Sequence, residues 1–378
     1  MGLYTEIFVG KIVMMITKRN VIILIFILFL SAVVISQFTL HKEGASSLTD
    51  NTINDNEGGP EIVPHPLSIQ ALREMEFPGS EITIEQTLNP GSNFRRYIAS
   101  YRSEGLKIYG LLTIPNPSAG SGQAPESGWP VIIFNHGYIS PSVYKTTEKY
   151  VAYQNAFAAA GYITFKSDYR GHGNSEGSAT GGYGSNDYTI DVLNAVTSIK
   201  RLKDPSVSSG LVVNADRIGM WGHSMGGSIT LKSMVVTKDI KAGVIWAGVV
   251  GSYPDLIQRW RRRITATPSP SSSSRGRWRQ ELTEKYGEPD INNEFWKSIS
   301  ATSSLSDISG PLQLHHGTDD KSVPIEFSQD LESKMNEAGK EVELYIYQGD
   351  DHNLSSNLSL ALRRSVEFFD KNLKNKSL

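Results

Sequence analysis

The run Ile218-Gly219-Met220-Trp221-Gly222-His223-Ser224-Met225-Gly226-Gly227-Ser228-Ile229-Thr230-Leu231 passes from an apolar strand through a tight turn into a helix. Within it, Gly222-His223-Ser224-Met225-Gly226 is a GxSxG pattern. A serine hydroxyl is a poor nucleophile unless an exposed, strained turn presents it to a base. Glycines two residues to either side relieve the crowding that such a turn creates. Ser224 is therefore the candidate nucleophile, against the plainer reading of a strand-to-helix turn with an incidental serine.

Working outward, short apolar runs at Val131 to Phe134, Tyr162 to Lys166, Val244 to Trp246, Leu312 to Leu314 and Val342 to Tyr347 alternate with helical segments. Strands apolar on both faces indicate a parallel sheet covered by helices. One such helix is expected from Thr189 to Leu202, where Val192, Val196, Ile199 and Leu202 recur at helical spacing. Another runs from Glu148 to Ala160 and stops at Gly161. Before them, Ile82 to Leu88, Tyr97 to Arg102 and Leu106 to Ile114 alternate polar and apolar residues between turn signals, the pattern of antiparallel strands. With 378 residues, the expected architecture is one large α/β unit, a mostly parallel doubly wound sheet with helices on both faces. No internal repeat is visible.

A nucleophilic serine needs a histidine base, and the chain offers eight: 41, 65, 136, 172, 223, 315, 316 and 352. His41 and His65 lie in a polar tether, and His223 adjoins Ser224 in a turn expected to point their side chains apart. Doubly wound hydrolases order their triad as serine, acid, histidine, which leaves His315, His316 and His352. The first two precede the candidate acids, so His352 is the base, in the loop Gly349-Asp350-Asp351-His352-Asn353. Asp319 and Asp320 both qualify by position for the acid. Asp350 and Asp351 read as loop carboxylates beside the base.

These residues resemble the α/β-hydrolase fold, and His316-Gly317-Thr318-Asp319-Asp320-Lys321-Ser322-Val323-Pro324 resembles the HGxxDxxVP pattern of its prolyl-oligopeptidase-like (S9) branch. That resemblance puts the catalytic aspartate on Asp320. Asn135-His136-Gly137-Tyr138 resembles the His-Gly oxyanion motif, which implies the N–H of Tyr138 as one oxyanion donor beside that of Met225, with His136 orienting the loop. Asp168 to Gly177 resembles a loop common to the fold and needs no catalytic role. The resemblance covers about Tyr97 to Leu378. It departs from many prolyl oligopeptidases in leaving no room for a β-propeller between Pro66 and Val131. The implied activity is a serine hydrolase of S9 type acting on a short peptide or a small ester; the alternatives are a carboxylesterase and, more remotely, a non-catalytic surface binding module.

Composition narrows the rest. No cysteine occurs, which excludes disulfides, thiolate metal sites and a cysteine nucleophile. A net charge of −2 gives no general attraction for nucleic acid. No cofactor is implied, and no metal: HExxH is missing, and His315 and His316 alternate across a strand. Residues 21–38 carry no charge and as a helix would reach about 27 Å, near the thickness of a hydrocarbon core. Lys11, Lys18 and Arg19 precede this stretch, so residues 1–20 are expected in the cytoplasm and the remainder outside, anchored, or secreted if the segment is cleaved. Residues 39–66 read as a flexible tether, and 67–378 as the hydrolase domain. Within that domain, 251–309 break the α/β rhythm with a Pro-Ser-rich stretch and tryptophans at 260, 278 and 296, as an inserted cap would. Seven arginines and no acid fall between Arg259 and Arg279. The plainer reading is a solvated helix face and loop; the functional ones, which the sequence does not rank, make Arg259, Arg262 and Arg263 candidate contacts for a carboxylate or phosphate on the substrate, or the cluster a contact for anionic lipid headgroups.

Overall fold

Strand β1 (Thr83–Leu88) pairs antiparallel with β2 (Phe94–Ser103), and β2 with β3 (Leu106–Pro115). The β2–β3 hairpin turns on Glu104-Gly105, both at positive φ, which suits the right-handed twist of the strands it joins. After β4 (Trp129–Asn135) come β5 (Ile163–Ser167), β6 (Val213–His223), β7 (Ile240–Trp246), β8 (Leu312–Gly317) and β9 (Val342–Tyr347). The nine strands form one open sheet in the order β1-β2-β3-β5-β4-β6-β7-β8-β9. From β5 to β9 all neighbours are parallel, while β3 meets β5 antiparallel. The chain moves outward one way from β4 to β5 and the other way from β6 to β9, so the order reverses between β4 and β6. Loops leaving the carboxyl ends of those two strands diverge there and open a crevice.

This computed structural model describes residues 63–116, 127–202, 213–260 and 277–374. Its helices are α1 (Ile69–Glu74), α2 (Val151–Ala159), α3 (Asp187–Ile199), α4 (Met225–Val236), α5 (Tyr253–Asp255), α6 (Arg277–Tyr286), α7 (Glu294–Ile299), α8 (Glu326–Glu337) and α9 (Leu358–Phe369). Alternate residues of the central strands feed two cores. Val131, Ile133, Ile218, Met220 and Ile245 pack with α3, α4 and α8 on one face. Ile132, Phe134, Trp221, Val244 and Trp246 pack with α2 and α9 on the other. Each large side chain buried in this way contributes about 1.5–3 kcal/mol, which makes the central strands a rigid base for the loops above them.

The expected cap follows β7 and returns to β8. It comprises α5, a π-helical continuation at Leu256–Trp260, α6 and α7, around a small core of its own that includes Tyr253, Leu282 and the fully buried Trp296. The tether boundary needs correction. His65, expected within the flexible segment, lies edge-on to Tyr286 and Phe295 at 5.5 and 5.1 Å, and the Pro66 carbonyl accepts a hydrogen bond from Asn186. Packing therefore begins before residue 67, because the cap offers an aromatic face to His65. Residues 1–62, with the apolar run 21–38, lie outside the described residues, among which no helix is long and apolar enough to cross a membrane.

Candidate active site

Strand β6 ends at His223, and Ser224 caps α4 with φ 56° and ψ −119°. A side chain held there costs about 1–3 kcal/mol, and the surroundings maintain it. The Ser224 N–H donates to the Trp246 carbonyl, and the Ser224 carbonyl accepts from Gly227 and Val249. Both flanking glycines are required by contact. A Cβ at Gly222 would lie 2.3 Å from the Gly226 carbonyl oxygen, and one at Gly226 would lie 2.0 Å from that of Asn135. The first turn of α4 is thus pressed against the ends of its own strand and of β4. Met225 opens α4, so its N–H belongs to the first-turn donors that the helix leaves unpaired.

The loop after β4 lies against this turn. A Cβ on Gly137 would come 3.2 Å from the Ser224 Cβ and 2.6 Å from the Tyr150 hydroxyl. Beneath the loop, His136 is fully buried between Tyr144 and Tyr169. Burial, reinforced by the charge of Lys166, holds its imidazole well below the usual range, so it orients the loop as a neutral ring. Lys166 donates to the carbonyls of Thr146 and Lys149, and burial brings its ammonium down to about 8 despite nearby Asp168. Asp168 accepts from the hydroxyls of Tyr144 and Thr146. These two buried charges pin the segment that carries Tyr138, whose side chain is half exposed.

The candidate acid and base follow β8 and β9. His352 Nδ1 donates to Asp320 Oδ2 at 2.7 Å. Asp320 Oδ1 accepts from the N–H groups of Ser322 and Val323, and His316 Nε2 lies 3.2 Å from Oδ2. Burial pushes the Asp320 carboxyl up, but the hydrogen bonds from His316, His352 and Val323 outweigh it and hold the group well below the ordinary carboxylate range. A fixed negative charge there orients the imidazole and stabilises its protonated form. His352 sits beside the nucleophile turn, its ring 4.6 Å from that of His223. Asp350 is buried and accepts from Asp351, Ser356 and Asn357, while Asp351 accepts from Asn353 and Ser355. Both carboxylates shape the base's loop.

Motif reasoning therefore named residues that the fold brings to one crevice: Ser224, Met225, Tyr138, Asp320 and His352. Motifs assign no role to His316, which lies beside the candidate acid, to Tyr150, or to His223, which does not serve as a base and lies against His352. Alternation along β8 sets His315 and His316 on opposite faces, but which of them meets Asp320 is decided by the fold, and Tyr150 carries no sequence signal. The arginine cluster divides. Arg262 and Arg263 lie outside the described residues. Arg259 bonds Asp330 at 2.6 Å and Asp255 at 3.2 Å, so its charge is met by acids from outside the local basic run and docks the cap on α8. Its neighbour Trp260 donates to the Ser322 carbonyl in the acid's loop. Among the described residues no histidine and carboxylate cluster is arranged to hold a metal ion.

Comparison with known proteins bears on the family and the fold. A family model described as "Prolyl oligopeptidase family" matches residues 149–376. The chain is 25% identical over 271 residues to the "uncharacterized peptidase YtmA" of Bacillus subtilis, covering 70% of this chain and 88% of that protein. It is also 25% identical over 253 residues to the "putative esterase YitV" of the same organism, covering 64% and 88%. Among solved structures, Pyrococcus horikoshii acylaminoacyl peptidase superposes with a TM-score of 0.56 at 24% identity, over 76% of this chain and 43% of that one. The chain thus spans less than half of that larger enzyme, and the likeness concerns the fold.

Proposed function

The chain belongs to the prolyl oligopeptidase family and is a hydrolase of that family, and on this premise we propose that it cleaves peptide or ester acyl bonds through an acyl-enzyme on Ser224. The observation that carries this reading is the strained turn of Ser224 at the switch point, beside a His352–Asp320 pair closed at 2.7 Å. Ser224 Oγ attacks the acyl carbonyl while His352 takes its proton, and Asp320 stabilises the imidazolium that forms. The N–H groups of Tyr138 and Met225 receive the oxyanion. Collapse of the tetrahedral intermediate expels an amine or alcohol protonated by His352. Water, deprotonated by the same histidine, then releases the acyl group.

A peptide substrate is supported by the family and by the peptidase relative. An ester substrate is supported by the esterase relative and by the segment between Pro66 and Val131, which forms β1 to β3 of the sheet and leaves no room for a β-propeller. By the same reading, the apolar run 21–38 tethers the enzyme to a membrane with its catalytic unit outside the cytoplasm. Protease accessibility of the catalytic unit in intact cells tests that placement.

The central test is fluorophosphonate labelling of the full chain and of Ser224→Ala, with parallel turnover of p-nitrophenyl acetate and Xaa-Pro amides. Labelling lost in the variant supports the nucleophile. Amide cleavage then selects the peptidase reading, and turnover of esters alone selects the esterase. A folded wild type that takes no label overturns catalysis and leaves a binding module.

A further inference from the structure

A line of hydrogen bonds joins the oxyanion loop to the catalytic base through two side chains that the mechanism does not use. The Gly137 N–H lies 3.1 Å from the Tyr150 hydroxyl oxygen. That hydroxyl is 2.7 Å from His223 Nδ1, and His223 Nε2 is 2.9 Å from the backbone carbonyl of His352. Both ends of the line have fixed polarity. A peptide N–H only donates and a peptide carbonyl only accepts. The Tyr150 oxygen therefore accepts from Gly137 and spends its own proton on His223 Nδ1. His223 must then carry its proton on Nε2 to reach the His352 carbonyl. One neutral tautomer satisfies every group.

The surroundings keep His223 in that form. It is buried and stacked on Trp221, and burial together with the adjacent His352 brings its imidazole down to about 3. It stays uncharged while His352 gains a proton, so it places no second positive charge beside the imidazolium. The two loops it connects come from different strands, β4 and β9. Each carries one half of the machinery, and the relative placement of oxyanion donors and base determines whether a bound carbonyl meets both at once.

We propose that Tyr150 and His223 are positioning residues that lock the oxyanion loop and the His352 loop to each other, with the second residue of the GxSxG motif as the strut. The inference rests on the serine-hydrolase reading above. A misplacement of about 1 Å in such a site costs on the order of 10²-fold in rate, which sets the expected effect.

The experiment compares His223→Phe, His223→Gln, Tyr150→Phe and the Tyr150→Phe/His223→Phe double variant in the full chain. It measures kcat and KM on p-nitrophenyl acetate and the rate of fluorophosphonate labelling, below each variant's melting temperature. His223→Phe is expected to lower kcat by about 10- to 100-fold with KM changed less than about threefold. The double variant should be no slower than His223→Phe, since residues acting through one line do not add. His223→Gln, whose amide supplies one acceptor and one donor, should recover most of the loss. Additive losses, a folded Gln variant no faster than Phe, or kcat within twofold of wild type in every variant would each overturn the proposal. If His223→Phe fails to fold, a slowed Tyr150→Phe beside a nearly normal Gln variant supports it, and the reverse pattern overturns it. A wild type that takes no label refutes the catalytic reading itself; a labelled wild type with indifferent variants refutes only the lock.

Discussion

Replacing Ser224 by glycine should abolish turnover and yet make the protein more stable than replacing it by alanine. Both variants lack the hydroxyl, so their difference isolates the backbone. At φ 56° and ψ −119° any residue with a Cβ is strained by about 1–3 kcal/mol, whereas glycine is at ease. Against that gain stands the larger conformational freedom of glycine in the unfolded chain, about 0.4–1 kcal/mol. The balance favours Ser224→Gly by about 0.5–2 kcal/mol. For a unit of roughly 300 residues, an unfolding entropy near 2.1 cal/mol/K per residue converts this into a gap of about 1–3 °C in melting temperature. Differential scanning calorimetry of the two variants in one buffer resolves it, with p-nitrophenyl acetate hydrolysis expected to fall by several orders of magnitude in both. A Ser224→Ala melting temperature equal to or above that of Ser224→Gly would refute the argument that the nucleophile's turn stores strain.

Asp320→Asn keeps an oxygen for the Ser322 and Val323 N–H groups but removes the carboxylate that faces His352 Nδ1. A fall of about 10⁴-fold in kcat is expected, and a loss below tenfold would move the acid's role to another carboxylate such as Asp319. Lys232, buried under the cap with Asn186 and the Tyr253 hydroxyl as partners, has its ammonium lowered by burial to about 8 from 10.5. Between those values the unfolded chain binds more protons than the folded one, so this group makes stability rise with pH, by at most about 1.4 kcal/mol per unit. The melting-temperature difference between wild type and Lys232→Met, followed from pH 7 to 9.5, should therefore shift toward wild type above about pH 8, and a flat difference would contradict the lowered value. Arg259→Ala should leave the ratio of anionic to neutral ester turnover unchanged, because Asp255 and Asp330 already engage that charge. A selective loss of the anionic substrate would restore Arg259 as a substrate contact.

Much of the architecture was legible because its signals are local. The apolar run at Val342 to Tyr347 coincides with β9, and the antiparallel strands and the helix ending before Gly161 lie within a few residues of their expected bounds. Ser224, Asp320 and His352 were legible through a motif, a chain order and a family resemblance. What escaped depends on contacts between distant segments. His65 falls within the tether because it closes a stretch, from His41, that is polar over most of its length, and its packing depends on the distant aromatic pair Tyr286 and Phe295. Arg259 reads as a candidate for an anionic group because no acid lies between it and Arg279. Its partners are Asp255, one helical turn before it, and Asp330, on α8. His223 was judged only as a possible base, a test that it fails, although its position against His352 follows from the same turn that exposes Ser224.

The sheet order also explains why the candidate base, His352, needs so much support. Ser224 follows β6, the oxyanion loop follows its direct neighbour β4, and the two are held by register, with Asn135 opposite Gly222. The base follows β9, which lies three strands from β6, or about 14 Å at about 4.8 Å per strand. Its loop must reach back across β7 and β8 without ladder hydrogen bonds to guide it. The structure supplies substitutes along that path. A Cβ on Gly317 would fall 2.3 Å from the Asp350 carbonyl oxygen, so the acid's strand touches the base's loop directly. The Asp319 N–H donates to that same carbonyl, Asp350 and Asp351 tie the loop to its own following turn, and Asp320 holds the imidazole from one side. Those contacts fix His352 relative to β8 and β9 alone. The His223 bond to the His352 carbonyl links it to β6, which is why the residue beside the nucleophile carries a ring able to accept at one nitrogen and donate at the other.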